Sequence, residues 1–259
     1  MNVDKKEAMI SFWSERAHLF QADPRANTND VWLREVEINY VQEIIQTYPF
    51  SRALDFGCAN GYTTSRLAKM NRDVSFLGVD INPDMISVAS TFPKTEALLN
   101  VDFRQVDVLT EEFDEQFDFI YAIRVFQNIE TLEKQRQVFE KLCERLNKGG
   151  MFIYIESYAD GYTRLNKDRL KMGLQPLPIH PHLTLLTEEF DAHAGKLMNL
   201  VKQDYLSSSY YLITRLLYSY IAAMNKEQID YNHPIHQVAS MVPQVGDYGP
   251  QKASLLRKP

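Results

Sequence analysis

The stretch Leu54-Asp55-Phe56-Gly57-Cys58-Ala59-Asn60-Gly61-Tyr62-Thr63-Thr64 decides the fold. An apolar strand end runs into a glycine loop and then into a helical pattern over residues 62 to 70, the kind of βα turn at which an open α/β sheet binds its ligand. Glycine at 57 and 61 lets the backbone turn tightly and lets a ligand approach without meeting a Cβ atom. The first N–H groups of the following helix face that turn and have no partner within the helix. In the dinucleotide fingerprint G-x-G-x-x-G a pyrophosphate rests on such groups. Here the spacing is G-x-x-x-G, and Asp55 stands two residues before the first glycine. A carboxylate in that place repels a pyrophosphate and suits a cation.

Two further acids close strands downstream. Val74 to Asp80 reads as a second strand whose terminal acid, 25 positions beyond Asp55, is placed to accept both hydroxyls of a ribose. Asn82 and Pro83 then read as the N-cap and first position of a helix. A third strand, Val101 to Val106, leads into Asp107-Val108. With these residues the chain resembles the class I S-adenosylmethionine-dependent methyltransferases, whose motif I has the pattern D-x-G-x-x-x-G. A third glycine often stands inside that loop; Ala59 occupies its place here.

The resemblance implies a doubly wound α/β fold, Rossmann-like, with a seven-stranded mostly parallel sheet and an inserted lid, and S-adenosyl-L-methionine as cofactor. It also implies roles. Asp55 would lie near the cofactor's amino acid end, Asp80 at the ribose and Asp107 at the adenine amino group, with Gly57, Cys58, Gly61, Ile81 and Val108 beside them. Taken one at a time, the three acids also suit turn or capping positions. An arginine of the N-terminal segment often pairs with the methionine carboxylate in this family, and Arg16 and Arg34 are the candidates. Either could equally be a solvated surface residue.

The fourth strand, Phe117 to Ala122, leads into Ile123-Arg124-Val125-Phe126-Gln127-Asn128-Ile129, which resembles the family's fourth-strand signature. Residues there face cofactor and substrate, which makes Arg124 a further cofactor contact. Where many relatives carry histidine, Gln127 and Asn128 stand, and neither amide acts as a general base near neutral pH. Residues 131 to 146 form a helix with Leu132, Val138, Phe139, Leu142, Cys143 and Leu146 on one face, ended by Asn147-Lys148-Gly149-Gly150. A fifth strand then covers Met151 to Ile155.

The remainder organises into a last core helix over Thr187 to Lys196, a sixth strand from Asn199 to Tyr205, and a final strand from Gln251 to Arg257. A lid is expected from residues 1 to 30, 157 to 186 and 208 to 250, with the methyltransferase domain running from 31 to 259. Within it, residues 208 to 224 read as a helix with Tyr210, Ile213, Leu217, Tyr220, Ile221 and Met224 on one face. That face is either packed, as a cap or a homodimer contact, or a wall for a ring-shaped or saccharide substrate. Residues 231 to 250 read as loop. His180, His182, His233 and His236 fall in the lid and titrate near neutrality, which makes them candidate bases, with structural roles as the alternative.

The 259 residues suffice for one large domain. Lysine and arginine number 28 against 34 acids, a formal charge of −6, with no basic stripe interleaved with aromatics. A nucleic-acid partner is therefore disfavoured. No apolar run approaches a membrane span, and the N-terminus has no signal-peptide core, so a soluble cytoplasmic protein is expected. Two cysteines exclude a disulfide framework and a zinc cluster, so no metal is expected. The function expected is methyl transfer to an oxygen or nitrogen of a small hydroxylated substrate, of the saccharide or nucleotide-sugar kind. The rivals are a non-catalytic cofactor-binding module, a methyltransferase acting on protein or RNA and, more distantly, a nicotinamide dehydrogenase.

Overall fold

A computed structural model describes residues 5–111 and 114–259. Helices α1 (Lys5–Phe20) and α2 (Val31–Thr47) precede the sheet. The alternation β1 (Arg52–Phe56), α3 (Tyr62–Met70), β2 (Ser75–Asp80), α4 (Pro83–Ala89), short α5 (Phe92–Thr95), β3 (Val101–Gln105) and β4 (Phe117–Ile123) then builds its first half. The second half consists of α6 (Leu132–Glu144), β5 (Leu146–Ser157), α7 (Ala159–Lys171), α8 (Glu188–Leu197) and β6 (Asn199–Asp204). A composite helix follows, α9 (Ser208–Tyr211), a π segment (Leu212–Tyr218) and α10 (Ser219–Asn225), and after it come α11 (Pro234–Met241) and β7 (Gln251–Arg257).

Seven strands lie in the order β3-β2-β1-β4-β5-β7-β6, all parallel except β7, which runs antiparallel to both β5 and β6. The central strands are buried on both faces, so they read as continuous apolar runs. One core lies under α2, α3 and α7, around Ile38, Val41, Phe119 and Ile153; the other lies under α6 and α8, around Phe126, Phe139, Phe152 and Phe190. Strand order reverses between β1 and β4, and the crevice at that switch point is where such sheets bind ligands.

Three local expectations need correction. Asn147 to Gly150 does not end α6; it lies within β5, where Leu146 pairs with Phe117 and the register shifts before Met151, so the two glycines serve a bulge. The stretch 231–250 is not all loop. His233 caps α11 and Pro234 opens it, a pairing that suits a helix start. The N-terminal segment, read without a helix, forms α1, whose side-chain pattern has no single apolar face. Its Trp13, Ala17 and Phe20 pack with Ala26 and Met85, while Asn82 Nδ2 donates to the Ile10 carbonyl and the Ser14 hydroxyl, each at 3.0 Å.

Candidate functional site

The glycine loop between β1 and α3 is shaped by close packing as much as by turning. Gly57 has φ +76°, and a Cβ there would lie 2.5 Å from a methyl of Val125. Gly61, also at φ +76°, is the N-cap of α3 and is not among the described residues that line the cavity; the Tyr62 N–H donates to Asn60 Oδ1 at 3.4 Å. Ala59 adopts φ +48° in spite of its methyl. Its N–H donates to Asp80 Oδ2 at 2.9 Å, which holds the loop where a third glycine would have needed no support.

The three strand-end acids sit in three different electrostatic environments. Asp55 is enclosed at the end of β1 and accepts a 2.6 Å hydrogen bond from Thr64 Oγ1; burial pushes its carboxyl up to about 7, against the pull of Thr64 and Arg34. Asp80 is raised too, by burial, while N–H groups of Asn82 (2.8 Å) and Ala59 oppose the shift. Asp107 lies below the ordinary carboxylate range. Burial acts upward there, and the Lys6 ammonium at 2.7 Å and the Leu109 N–H at 3.1 Å outweigh it.

All three acids line one cavity, together with Gly57, Cys58, Ile81 and Val108. α1 contributes Lys6, Met9 and Trp13 to its wall. The Trp13 indole N–H donates to Asn128 Oδ1 at 3.3 Å, so α1 is tied to the turn after β4.

At the Asp55 end stand two arginines. Arg34 of α2 is buried, with Nη1 3.2 Å from Glu37 Oε2, and burial pulls its guanidinium down to about 10 against the attraction of Glu37. Arg124, in the left-handed region at φ +59°, places Nε 3.0 Å from Glu37 Oε1. Gln251, at the start of β7, also donates to Glu37. One carboxylate thus serves two cavity-lining guanidinium groups and an amide. Arg16 stands elsewhere. Its guanidinium donates to the Ala26 carbonyl at 2.9 Å and to Asn29 at 3.0 Å, lies 4.9 Å from the centre of the Phe20 ring, and does not line the cavity.

Glu156, at the end of β5, escaped sequence reasoning. It is fully buried, and its carboxylate accepts the N–H groups of Val125 (2.7 Å), Phe126 (2.8 Å) and Gln127 (3.2 Å). Burial pushes it up to about 8 even with those donors present. It therefore holds the turn after β4 from below, while Gln127 and Asn128 line the cavity above. The Arg34–Glu37 pair left a faint signal. Both fall at helical spacing with Val41 and Ile44, two charges on the stripe that α2 turns to the core.

The four histidines lie off the cavity wall. His180 and His182 pack against the Phe12 ring of α1, at 5.5 and 4.9 Å between centroids, and burial lowers His182. His233 accepts the Ile235 N–H as the N-cap of α11 and stacks on Tyr218 at 4.7 Å. His236 is wholly buried, with Nδ1 3.1 Å from the Tyr210 hydroxyl and 3.5 Å from Asp30. Each has a packing or capping task, and no histidine is among the described residues that line the cavity. The structure thus does not bring the four candidate histidines to the cavity wall.

The residues fit an adenosylated amino acid. Asn27 Oδ1, Thr63 Oγ1 and Arg34 Nε are buried on cavity-lining residues and have no hydrogen-bond partner among the described residues, an arrangement that calls for a polar ligand. Anions and cations lie side by side at the Asp55 end, as a zwitterion requires.

A family model described as a methyltransferase domain matches residues 50–211. The chain is 29% identical over 103 residues to a malonyl-[acyl-carrier protein] O-methyltransferase of Bacillus cereus, and 28% identical over 111 residues to a trans-aconitate 2-methyltransferase of Deinococcus radiodurans. These matches cover 40% and 43% of this chain and only 36% and 40% of the relatives' own lengths. Among solved structures, the N-methyltransferase NodS from Bradyrhizobium japonicum, in complex with S-adenosyl-L-homocysteine, superposes with a TM-score of 0.62 at 14% identity, over 99% of this chain and 100% of that one. At that identity the likeness establishes the fold alone.

Proposed function

The chain belongs to the S-adenosylmethionine-dependent methyltransferase family, and we propose that it moves the cofactor's methyl group to an oxygen or nitrogen of a small molecule. The observation that carries this reading is that Arg34, Arg124, Asp55, Asp80 and Asp107 line one cavity. In this reading the arginines would hold the methionine carboxylate, Asp55 its ammonium, Asp80 the ribose and Asp107 the adenine. Of the two arginines considered for the carboxylate, Arg34 lines the cavity and Arg16 does not.

When bound, the cofactor supplies a sulfonium methyl with a neutral thioether as leaving group. This chain's residues therefore have to orient and enclose more than to activate. Glu156 fixes the turn that presents Gln127 and Asn128. Trp13 and Met9 line the cavity on the α1 side. For the acceptor we favour a small hydroxylated ring, of the saccharide or nucleotide-sugar class. Support comes from the tyrosines of the lid segments and the net charge of −6; Tyr162, Tyr211 and Tyr231 gather around Arg215, outside the residues that line the cavity. No helix among the described residues is long and apolar enough to cross a membrane.

Calorimetric titration with S-adenosylmethionine and S-adenosylhomocysteine tests the site. Wild type is expected to bind both, and Asp80→Ala to weaken binding by about 10- to 100-fold, the loss of hydrogen bonds to a charged acceptor. A folded protein that binds neither would overturn the proposal. An acceptor screen with radiolabelled methyl then reports transfer directly.

A further inference from the structure

The composite helix Ser208–Asn225 is apolar on two sides. Its inward side buries Tyr210, Tyr211, Leu216, Tyr218 and Ala222 together with Thr214, Arg215 and Ser219. Arg215 Nη2 lies 2.5 Å from Asp30 Oδ2, and Tyr210 donates to Asp30 Oδ1 at 2.5 Å. Its outward side carries Leu217, Tyr220, Ile221 and Met224 at positions i, i+3, i+4 and i+7, with Ile221 48% and Met224 68% exposed. α11 packs alongside and adds Val238 and Met241, the latter 71% exposed.

We propose that this outward face is where a second copy of the chain docks. The argument is one of area and charge. All six side chains are between 39% and 71% exposed, on helices that pack together, where a standard interface takes about 800 Å² from each partner. From Tyr205 to Asn225 the only formally charged residue is Arg215, which is buried, and α11 has none. In a chain of net charge −6, this face is thus one where two copies meet without repulsion. An anionic membrane would find no basic residue on it to hold. A symmetric contact suits it because an uncharged apolar stripe is complementary to itself. Docking would brace the helix whose inner side grips Asp30, the N-cap of α2, and α2 also carries Arg34.

Sedimentation velocity on the full chain, from about 1 to 100 µM, reads the outcome, a span that brackets ordinary reversible dimers. Wild type is expected to sediment as a dimer, and the double variant Ile221→Asp, Met224→Asp as a monomer, with association weakened at least about 100-fold. Leu99→Asp, at a fully exposed site outside the patch, should leave the dimer intact. Circular dichroism and S-adenosylhomocysteine binding check that the variants fold, and Met241→Glu replaces the double variant if it does not. A wild type that stays monomeric at the highest concentration overturns the proposal, as does a dimer indifferent to these substitutions. Monomeric wild type that binds neutral phosphatidylcholine vesicles overturns it in favour of a lipid surface.

Discussion

α6 and the composite helix Ser208–Asn225 differ in composition and in what orients them: α6 alternates charged with apolar residues, whereas Arg215 is the one formally charged residue of the composite helix. α6 buries Val138, Phe139, Leu142 and Cys143 and turns Glu133, Gln137, Glu140 and Glu144 to solvent. Its Phe139 ring stacks on Phe152 of β5 at 5.1 Å. Apolar burial orients it, with buried Gln135 donating to the Phe126 and Thr184 carbonyls. The composite helix turns Leu217, Ile221 and Met224 outward; its inner side packs Tyr210, Tyr211, Leu216, Tyr218 and Ala222, and Arg215 and Tyr210 hold the buried Asp30 beside His236. A buried ion pair is directional where the hydrophobic effect is not. The pair between residues 30 and 215 adds a directional tie to the apolar packing of the helix that carries it.

Breaking that pair should have the largest effect. Arg215→Met leaves Asp30 buried without its cation and is expected to cost about 3–5 kcal/mol in urea unfolding. Phe139→Ala in α6 should cost a similar amount, through a cavity instead. Ile221→Ala, equally aliphatic and eight-tenths of the way along its helix, should stay within about 0.5 kcal/mol for the isolated monomer. A large loss at Ile221 and a small one at Arg215 would reverse the comparison.

Titration sharpens it. Arg215, Tyr210 and His236 hold Asp30 well below the ordinary carboxylate range against its burial. Its folded value is depressed, so its stabilisation is full above an unfolded carboxyl's value of about 4 and fades as pH falls below that. Acid should therefore release the composite helix before α6, which hydrogen exchange along the two segments would resolve. Asp55 has the opposite sign. Its value, raised to about 7, favours folding at low pH, and that advantage is lost as pH rises from about 4 to about 7. In the role proposed for Asp55, cofactor binding needs its charge. Affinity for S-adenosylmethionine should then fall by up to about tenfold per pH unit below 7, since one pKa unit corresponds to about 1.4 kcal/mol. A flat calorimetric profile between pH 5 and 8, a span set by the about 7 of Asp55, would remove Asp55 from the ammonium site.

The smallest effect lies in the glycine loop. Ala59→Gly relieves a left-handed alanine but loosens the unfolded chain, so a stabilisation of no more than about 1 kcal/mol is expected, measured by thermal unfolding.

Much of the site was legible because its signals are local. Gly57, Gly61 and Asn82-Pro83 punctuate the chain within a few residues of the acids they position, so Asp55, Asp80 and Asp107 could be placed at strand ends before any contact was known. The histidines misled because titration near neutrality says nothing about location; His236 is enclosed beside Asp30 and His233 ends a turn. Glu156 was silent because an acid at a strand end looks the same whether it meets water or three backbone N–H groups. The single apolar face read over 208–224 failed for a geometric reason. The π segment spaces its bonds i to i+5, so the face changes side between Tyr210, wholly buried, and Leu217, half exposed.

The sequence by itself determined the alternation of strands and helices, the glycine loop and the row of acids, since periodicity and turn chemistry act over a few residues. Only the tertiary structure decided which charges meet. Glu37 gathers Arg124 and Gln251, 87 and 214 residues away, beside its helical neighbour Arg34, and Asp30 ties down a helix whose Arg215 is 185 residues away. Such pairs depend on separations that folding creates, and on burial that makes an unpaired charge too costly to leave.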